Sequence, residues 1–449
     1  MTPADATVDW LIVGAGSAGC VLAARLADLP TGRVLLLEAG GAPPAAAEGS
    51  ESSSFFDVLD TPAMLWDDLR LRRRSGSAPV AYPRGRVLGG CSAVNAMVAL
   101  AGGPFAHDPA AQRHRIPIET VGAAELGPVD RALLAADADA VPAPLNRRNG
   151  RRVSAFDAYL GDGGAQRVGG NLEIRTDAEV ARVLFDGVRA TGVELVTGEQ
   201  IRARRVVLSA GALGSPVLLL RSGVRVAGLG EGLADHPAAA ITLELRADIA
   251  ADPASNVCGA LLARSDAQVL SMNHLGHRAP GYAMLLTAVM RPRSRGRIVL
   301  SAPDAEPDID LALLSDPHDR VAMVDAVAAT LELLGTDAFV GIVESAFIDD
   351  HGTTIDALFD SAGAVSRRSV EEWVIDHLGD YVHASGGCAM GHVVDEEGSV
   401  SGYEALYVCD ASVFATIPEV NTHLPTVMLA ETMAARWTAR GRSPDGAAA

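Results

Sequence analysis

Three observations in this 449-residue chain predict an α/β fold in two domains. The chain is too long for one ordinary hydrophobic core. Near its start a short apolar run, Val8 to Val13, leads into Gly14-Ala15-Gly16-Ser17-Ala18-Gly19 and then a helical stretch through about Leu29. Farther on, alternating segments such as Ala240 to Leu245 and Tyr282 to Met290 read as strands of a mostly antiparallel sheet. Together they describe a Rossmann-like domain and a second, α+β domain built on that antiparallel sheet.

Each part of the first motif has a physical task. The strand ends where Gly14 permits a tight turn, Gly16 lets a pyrophosphate approach the backbone, and Gly19 allows close helix–strand packing. The helix start offers free N–H groups and a positive dipole end to phosphates. A second strand, Arg33 to Leu37, ends on Glu38, nineteen residues beyond Gly19 and placed to accept hydrogen bonds from a ribose. Order and spacing point to nucleotide binding. The acid favours an unphosphorylated adenosine ribose, hence FAD or NAD over NADP, and this motif does not choose between them.

Composition narrows the class. With 49% hydrophobic and 21% charged residues the chain has material for sizeable cores, and 46 glycines fit a turn-rich α/β protein. A formal charge of −19 argues against nucleic acid or an anionic membrane as partner. The local exception, Arg70, Arg72, Arg73 and Arg74, reads as a solvated edge. The five cysteines (Cys20, Cys91, Cys258, Cys388, Cys409) are scattered and show no Cys-x-x-Cys pair. That points away from structural disulfides and zinc and towards a reducing cytoplasm. The first residues have no signal-peptide pattern, and no apolar run approaches the roughly 18–20 residues of a membrane span. A cytoplasmic protein without a transmembrane segment is expected.

The second glycine cluster is Pro83-Arg84-Gly85-Arg86-Val87-Leu88-Gly89-Gly90-Cys91-Ser92-Ala93-Val94-Asn95. Paired glycines followed by small residues let backbone amides line an anionic or planar ligand. Here the sequence resembles the glucose–methanol–choline (GMC) family of flavin-dependent oxidoreductases, whose flavin signature is this Arg-Gly-x-x-Leu-Gly-Gly-x-Ser-x-x-Asn pattern. Further blocks continue the resemblance: Ser154 to Leu160, Asn171 to Val196, Ser209 to Pro216, Leu229 to Pro237, Ser294 to Leu300 and Leu406 to Ser412.

The resemblance implies FAD as cofactor and assigns its contacts. The first loop contributes Gly14, Gly16, Ser17, Ala18 and Gly19, followed by Glu38 and Ala39. The signature contributes Arg84, Leu88, Gly89, Gly90, Ser92 and Asn95, with Ala96, Met97 and Val98 after it. Val180 falls where the family contacts the adenine part, Ala210 and Gly211 lie in the second signature, and Asp410 and Ala411 end the returning strand. Thr422, His423 and Pro425 complete the set.

Two histidines carry the chemistry the resemblance implies. His383, in His-Ala-Ser-Gly-Gly-Cys-Ala-Met-Gly, stands where the family keeps its main catalytic histidine, and His423, in Asn-Thr-His-Leu-Pro-Thr, where it keeps a partner histidine or asparagine. Both sit among small or turn-forming residues, which suits an imidazole facing a ligand. Oxidising an alcohol requires removing the hydroxyl proton and moving a hydride to the flavin, and a near-neutral imidazole suits the first task. His383 is read as general base with His423 orienting substrate or sharing the proton; the reverse assignment is the alternative. His236, in Asp-His-Pro, reads as a structural turn residue, and Cys388 as packing. No zinc-protease or serine-hydrolase motif is present.

The chain departs from the family in two ways. Val94 stands where some members attach FAD covalently through a histidine, so a bond there is excluded and non-covalent FAD is expected. Only about sixty residues separate Asn95 from Ser154, a shortened lid region whose loss suggests a wider site open to a bulky substrate, a redox peptide or a partner. Short bacterial members associated with the peptide-derived cofactor mycofactocin are of similar size. The expected domains are 1–104, 150–236 and 380–440 for FAD, 105–149 for the lid, 237–379 for substrate, and a tail at 441–449. The leading reading is an FAD-dependent alcohol dehydrogenase or oxidase using oxygen, a quinone or a protein as acceptor. The alternatives are a hydroxynitrile-lyase-like enzyme on the same fold and a weakly active flavoprotein that passes electrons to a partner.

Overall fold

A computed structural model describes residues 7–30, 32–43, 55–161, 170–249, 252–253 and 255–441. The segment 442–449 of the expected tail lies outside them. A five-stranded parallel sheet forms the first layer. Its strands are β1 (Trp10–Val13), β2 (Val34–Leu37), β3 (Leu172–Arg175), β4 (Val206–Leu208) and β5 (Leu406–Val408), in the spatial order β3-β2-β1-β4-β5. The registers Leu11↔Leu35, Leu11↔Val206 and Val207↔Tyr407 make every neighbouring pair of the central strands parallel. Such a sheet is covered on both faces, so its strands are apolar runs, and every residue of β1, β2 and β4 is buried.

Two helices pack together on this sheet, α1 (Ser17–Ala27) and α2 (His423–Gly441). Between them Arg25 forms a bidentate pair with Glu431 at 2.8 Å, and Tyr159 donates to the same carboxylate at 2.6 Å. The buried carboxylate thus has its charge and lone pairs matched by fixed donors. The middle of α2 is thereby held against the end of α1.

The second sheet has seven strands. Pro237–Leu245 lies between Val343–Phe347 and Tyr282–Val289, followed outward by Ala267–Met272, Ala260–Arg264 and Val141–Pro142. The ladders are antiparallel, for example Ala240↔Leu286 and Leu261↔Leu270, and Gly379–Asp380 also pairs with Pro237–Leu245. The helix Pro317–Leu334 packs on it, started by Asp316, whose side chain accepts from the His318 amide. Residues from the shortened region join this layer. Val141 pairs with Leu261, and the buried Asp130 on the helix Pro128–Ala136 accepts hydrogen bonds from Ser271, Asn273 and the Gly259 amide. No helix among the described residues is long and apolar enough to cross a membrane.

Candidate active site

The first glycine loop is held by close backbone approach. Gly14 has φ +99°, and a Cβ there would lie 2.5 Å from the Ser209 carbonyl oxygen. A Cβ on Gly19 would lie 1.9 Å from the Gly14 oxygen. Both positions exclude any other residue. Gly16 is different, because a Cβ there meets nothing within 4 Å. That side of the residue faces open space, and no side chain caps the start of α1. Ala18 is buried in that first turn. An anion approaching Gly16 and Ser17 would meet free N–H groups and the positive helix end.

Glu38, at the end of β2, is buried and already employed. Its carboxylate accepts from the Ala15 amide at 2.8 Å and from the Gly40 amide, beyond the half-buried Ala39, at 3.0 Å. Burial pushes its carboxyl up to about 7, against the pull of those N–H groups. Val180 opens a neighbouring strand just after Ala178, whose amide donates to the Glu38 carbonyl at 2.9 Å.

The second glycine cluster is built onto the first. The Gly89 amide donates to the Ala15 oxygen at 2.8 Å, the Leu88 amide to the Gly41 oxygen at 3.0 Å, and a Cβ on Gly90 would lie 2.7 Å from Gly16 Cα. Ser92 donates to the Gly89 carbonyl and accepts from the Ala155 amide, tying in the Ser154 segment. Asn95 accepts from the Met97 amide at 3.0 Å and from Arg152 Nη1 at 2.6 Å. Ala96 is half-buried there, and Val98 bridges to Leu145. On the other side Asp410 accepts from the Gly211 amide, from Ser215, which also accepts from the Ala210 amide, and from the Ser412 amide beyond the buried Ala411. Thr422 accepts from Thr426 one turn on, with Pro425 buried in that turn.

His383 sits on a locked turn. The preceding Val382 has φ +60°, and its carbonyl accepts from Arg84 at 2.7 Å. The His383 amide donates to Asp235 at 2.9 Å; Tyr82 donates to the same carboxylate at 2.6 Å and accepts from the Ala384 amide at 2.9 Å. His383 Nδ1 lies 3.0 Å from His236 Nδ1, and the Tyr381 ring stands edge-on at 4.7 Å. Burial holds the His383 imidazole well below its ordinary pKa.

His423 opens α2, and its Nδ1 is 2.9 Å from Ser17 Oγ, at the nucleotide loop. Burial lowers it to about 4. Among the described residues no hydrogen bond or ring contact joins His383 to His423. The sequence singled out both histidines but read His236 as a turn residue and passed over Tyr82, which with Asp235 holds the His383 turn, and Arg152, which donates to Asn95. Their signal lies in contacts between residues far apart in the chain.

The site fits the flavin nucleotide that the resemblance implies. Buried polar atoms of Arg152 (Nη2), Asn421 (Oδ1) and His423 (Nε2) lack a protein partner, on the segments that surround the two glycine loops. A bound polar group would satisfy them, and Gly16 leaves its phosphates the room.

Comparison with known proteins agrees. The GMC oxidoreductase family models match residues 129–238 and 292–430. The chain is 29% identical to a 5-(hydroxymethyl)furfural oxidase of Methylovorus sp. (strain MP688), over 96% of this chain and 98% of that one. That alignment runs over 531 residues, so the relative carries segments this chain lacks. It is 30% identical to an oxygen-dependent choline dehydrogenase of Chromohalobacter salexigens, over 97% of this chain and 95% of that one. Among solved structures, pyridoxine 4-oxidase from Mesorbium loti superposes with a TM-score of 0.84 at 25% identity, covering 96% and 99%. Formate oxidase from Aspergillus oryzae RIB40 shares the fold at a TM-score of 0.82 and 19% identity, covering 97% and 98%. The chain therefore belongs to the GMC oxidoreductase family and is an FAD-dependent oxidoreductase acting on alcohols.

Proposed function

We propose that the chain oxidises an alcohol to a carbonyl with His383 as the general base and FAD held without a covalent bond. FAD, when bound, supplies the acceptor for the hydride that leaves the alcohol carbon. His383 carries the reading. Burial keeps its imidazole neutral at physiological pH, ready to accept the hydroxyl proton, and Asp235, Tyr82 and Arg84 fix its backbone. His423 orients the substrate or shares the proton through Nε2, the nitrogen left free by Ser17. Gly14, Gly16 and Gly19, the signature from Arg84 to Val98, and Arg152 would cradle the cofactor. Val94 offers no nucleophile for a covalent link, which supports reversible binding. The flavin domain is read as 1–104, 150–236 and 380–440, with substrate meeting it from 237–379.

The substrates named for relatives set the first panel: 5-(hydroxymethyl)furfural, choline and pyridoxine. Anaerobic mixing with an alcohol or redox-peptide substrate should bleach the oxidised flavin band, and reoxidation with oxygen, a quinone or a protein would then identify the acceptor. Cyanohydrin cleavage with an unchanged flavin would instead favour the lyase. His383→Ala should retain FAD and slow flavin reduction by at least ~10²-fold. Unchanged reduction would remove His383 from the reaction.

A further inference from the structure

His236 lies behind His383, fully buried, and both of its ring nitrogens are used. Nε2 is 3.1 Å from the Pro418 carbonyl oxygen. A carbonyl only accepts, so Nε2 carries a proton. A neutral imidazole has one N–H, which makes Nδ1 the acceptor. The Met290 carbonyl also faces this ring, but the hydrogen-bond partner of Nδ1 is His383 Nδ1 at 3.0 Å, which assigns the donor to His383 Nδ1 and its lone pair to Nε2. The rings cross at 87° with centroids 5.2 Å apart. Asp235 registers both, accepting from the His236 amide at 2.7 Å and the His383 amide at 2.9 Å.

We propose that His236 is a positioning residue for the oxidation, holding His383 as its Nδ1–H tautomer so that Nε2 is the nitrogen that takes the alcohol proton. This rests on the reading of His383 as base. In the step the substrate O–H bond breaks and an Nε2–H bond forms, while the carbon–hydrogen electron pair leaves as hydride to FAD. His383 becomes an imidazolium, and its Nδ1–H stays bonded to the His236 lone pair. Pro418 lies five residues before His423. His236 therefore couples the His383 turn to the segment that delivers the second histidine.

The test uses the FAD-loaded enzyme and the alcohol of the panel that bleaches the flavin fastest. His236→Leu removes the acceptor, while His236→Asn places a side-chain oxygen near the position of Nδ1. The leucine variant should lower the limiting rate of anaerobic flavin reduction about 10- to 100-fold, as expected for a lost hydrogen bond to a charged group, with the alcohol dissociation constant unchanged. The asparagine variant should recover to within about threefold of the parent, since the acceptor is restored. A leucine variant as fast as the parent, or an asparagine variant as slow as the leucine one, overturns the proposal. If His383→Ala is slow while His236→Leu is normal, only the role of His236 falls; if His383→Ala is normal, the base assignment falls first. Nitrogen-15 spectra of the histidine-labelled parent enzyme, assigned against His383→Ala, give a readout free of folding effects. A protonated Nδ1 on His383 supports the proposal, and a protonated Nε2 in the resting enzyme overturns it.

Discussion

Gly16→Ala separates cofactor binding from folding. Gly16 has φ −83° and ψ −162°, which alanine adopts without strain, and its Cβ would touch no protein atom within 4 Å. The change at this helix N-cap should cost at most about 1 kcal/mol. The new methyl projects instead into the approach left for a phosphate. Loss of one hydrogen bond to a charged oxygen is worth about 1.5–3 kcal/mol, which raises the FAD dissociation constant about ten- to 150-fold. Gly14→Ala is the contrast. Its φ of +99° and the Ser209 oxygen at 2.5 Å add backbone strain to overpacking. Together these cost about 2–6 kcal/mol of a stability that is typically 5–15 kcal/mol. Thermal unfolding of the flavin-free variants, followed by FAD titration monitored by flavin fluorescence, measures both effects. The Gly16 variant should melt with the parent and bind FAD poorly, whereas the Gly14 variant should already be unstable without FAD. Normal FAD affinity in Gly16→Ala would refute the approach of phosphate at that residue.

Acid should act through the buried histidines. His423 is depressed to about 4 in the folded state and titrates near 6.5 when unfolded, so its contribution is present above 6.5 and lost as pH falls through 4. Relative to a non-titrating His423→Gln variant, the flavin-free parent should lose about 2 kcal/mol between pH 7 and pH 5 in denaturant unfolding; a pH-independent difference would contradict a neutral buried ring. Tyr82→Phe deletes the hydroxyl that bridges Asp235 and the Ala384 amide. It should lower stability by about 1–3 kcal/mol in the same experiment, and no loss would mean that water replaces the bridge.

The first βαβ segment was legible because part of what its glycines answer to is local: Gly14 takes a positive φ and Gly19 packs on the Gly14 carbonyl, although the Ser209 contact that also forces Gly14 comes from far along the chain. Ser315-Asp316-Pro317 read as a turn before a helix at Arg320 to Leu334, whereas the helix already begins at Pro317 with Asp316 as its cap. Glu38 was read as an acid placed for a ribose, whereas its bonds to the Ala15 and Gly40 amides were not legible, since they depend on how the loop closes. His236 could not be read because its meaning depends on a ring 147 positions away. The pairing of Val141 with Leu261 was hidden for the same reason, since a two-residue edge strand has no periodicity of its own.

The order of the parallel strands has a consequence for biosynthesis. β4 ends at Leu208, but its neighbour β5 begins only at Leu406, and the strand pair is parallel. While the ribosome adds the intervening residues, the edge of β4 presents unpaired amides and carbonyls beside the apolar run Val206-Val207-Leu208. The nascent chain therefore carries an adhesive edge through nearly half of its translation, when association with other chains competes with folding. The helix that delivers His423 emerges later still. Cofactor loading is thus a late event, and chaperone demand during synthesis should fall once residues 406–441 have left the ribosomal tunnel.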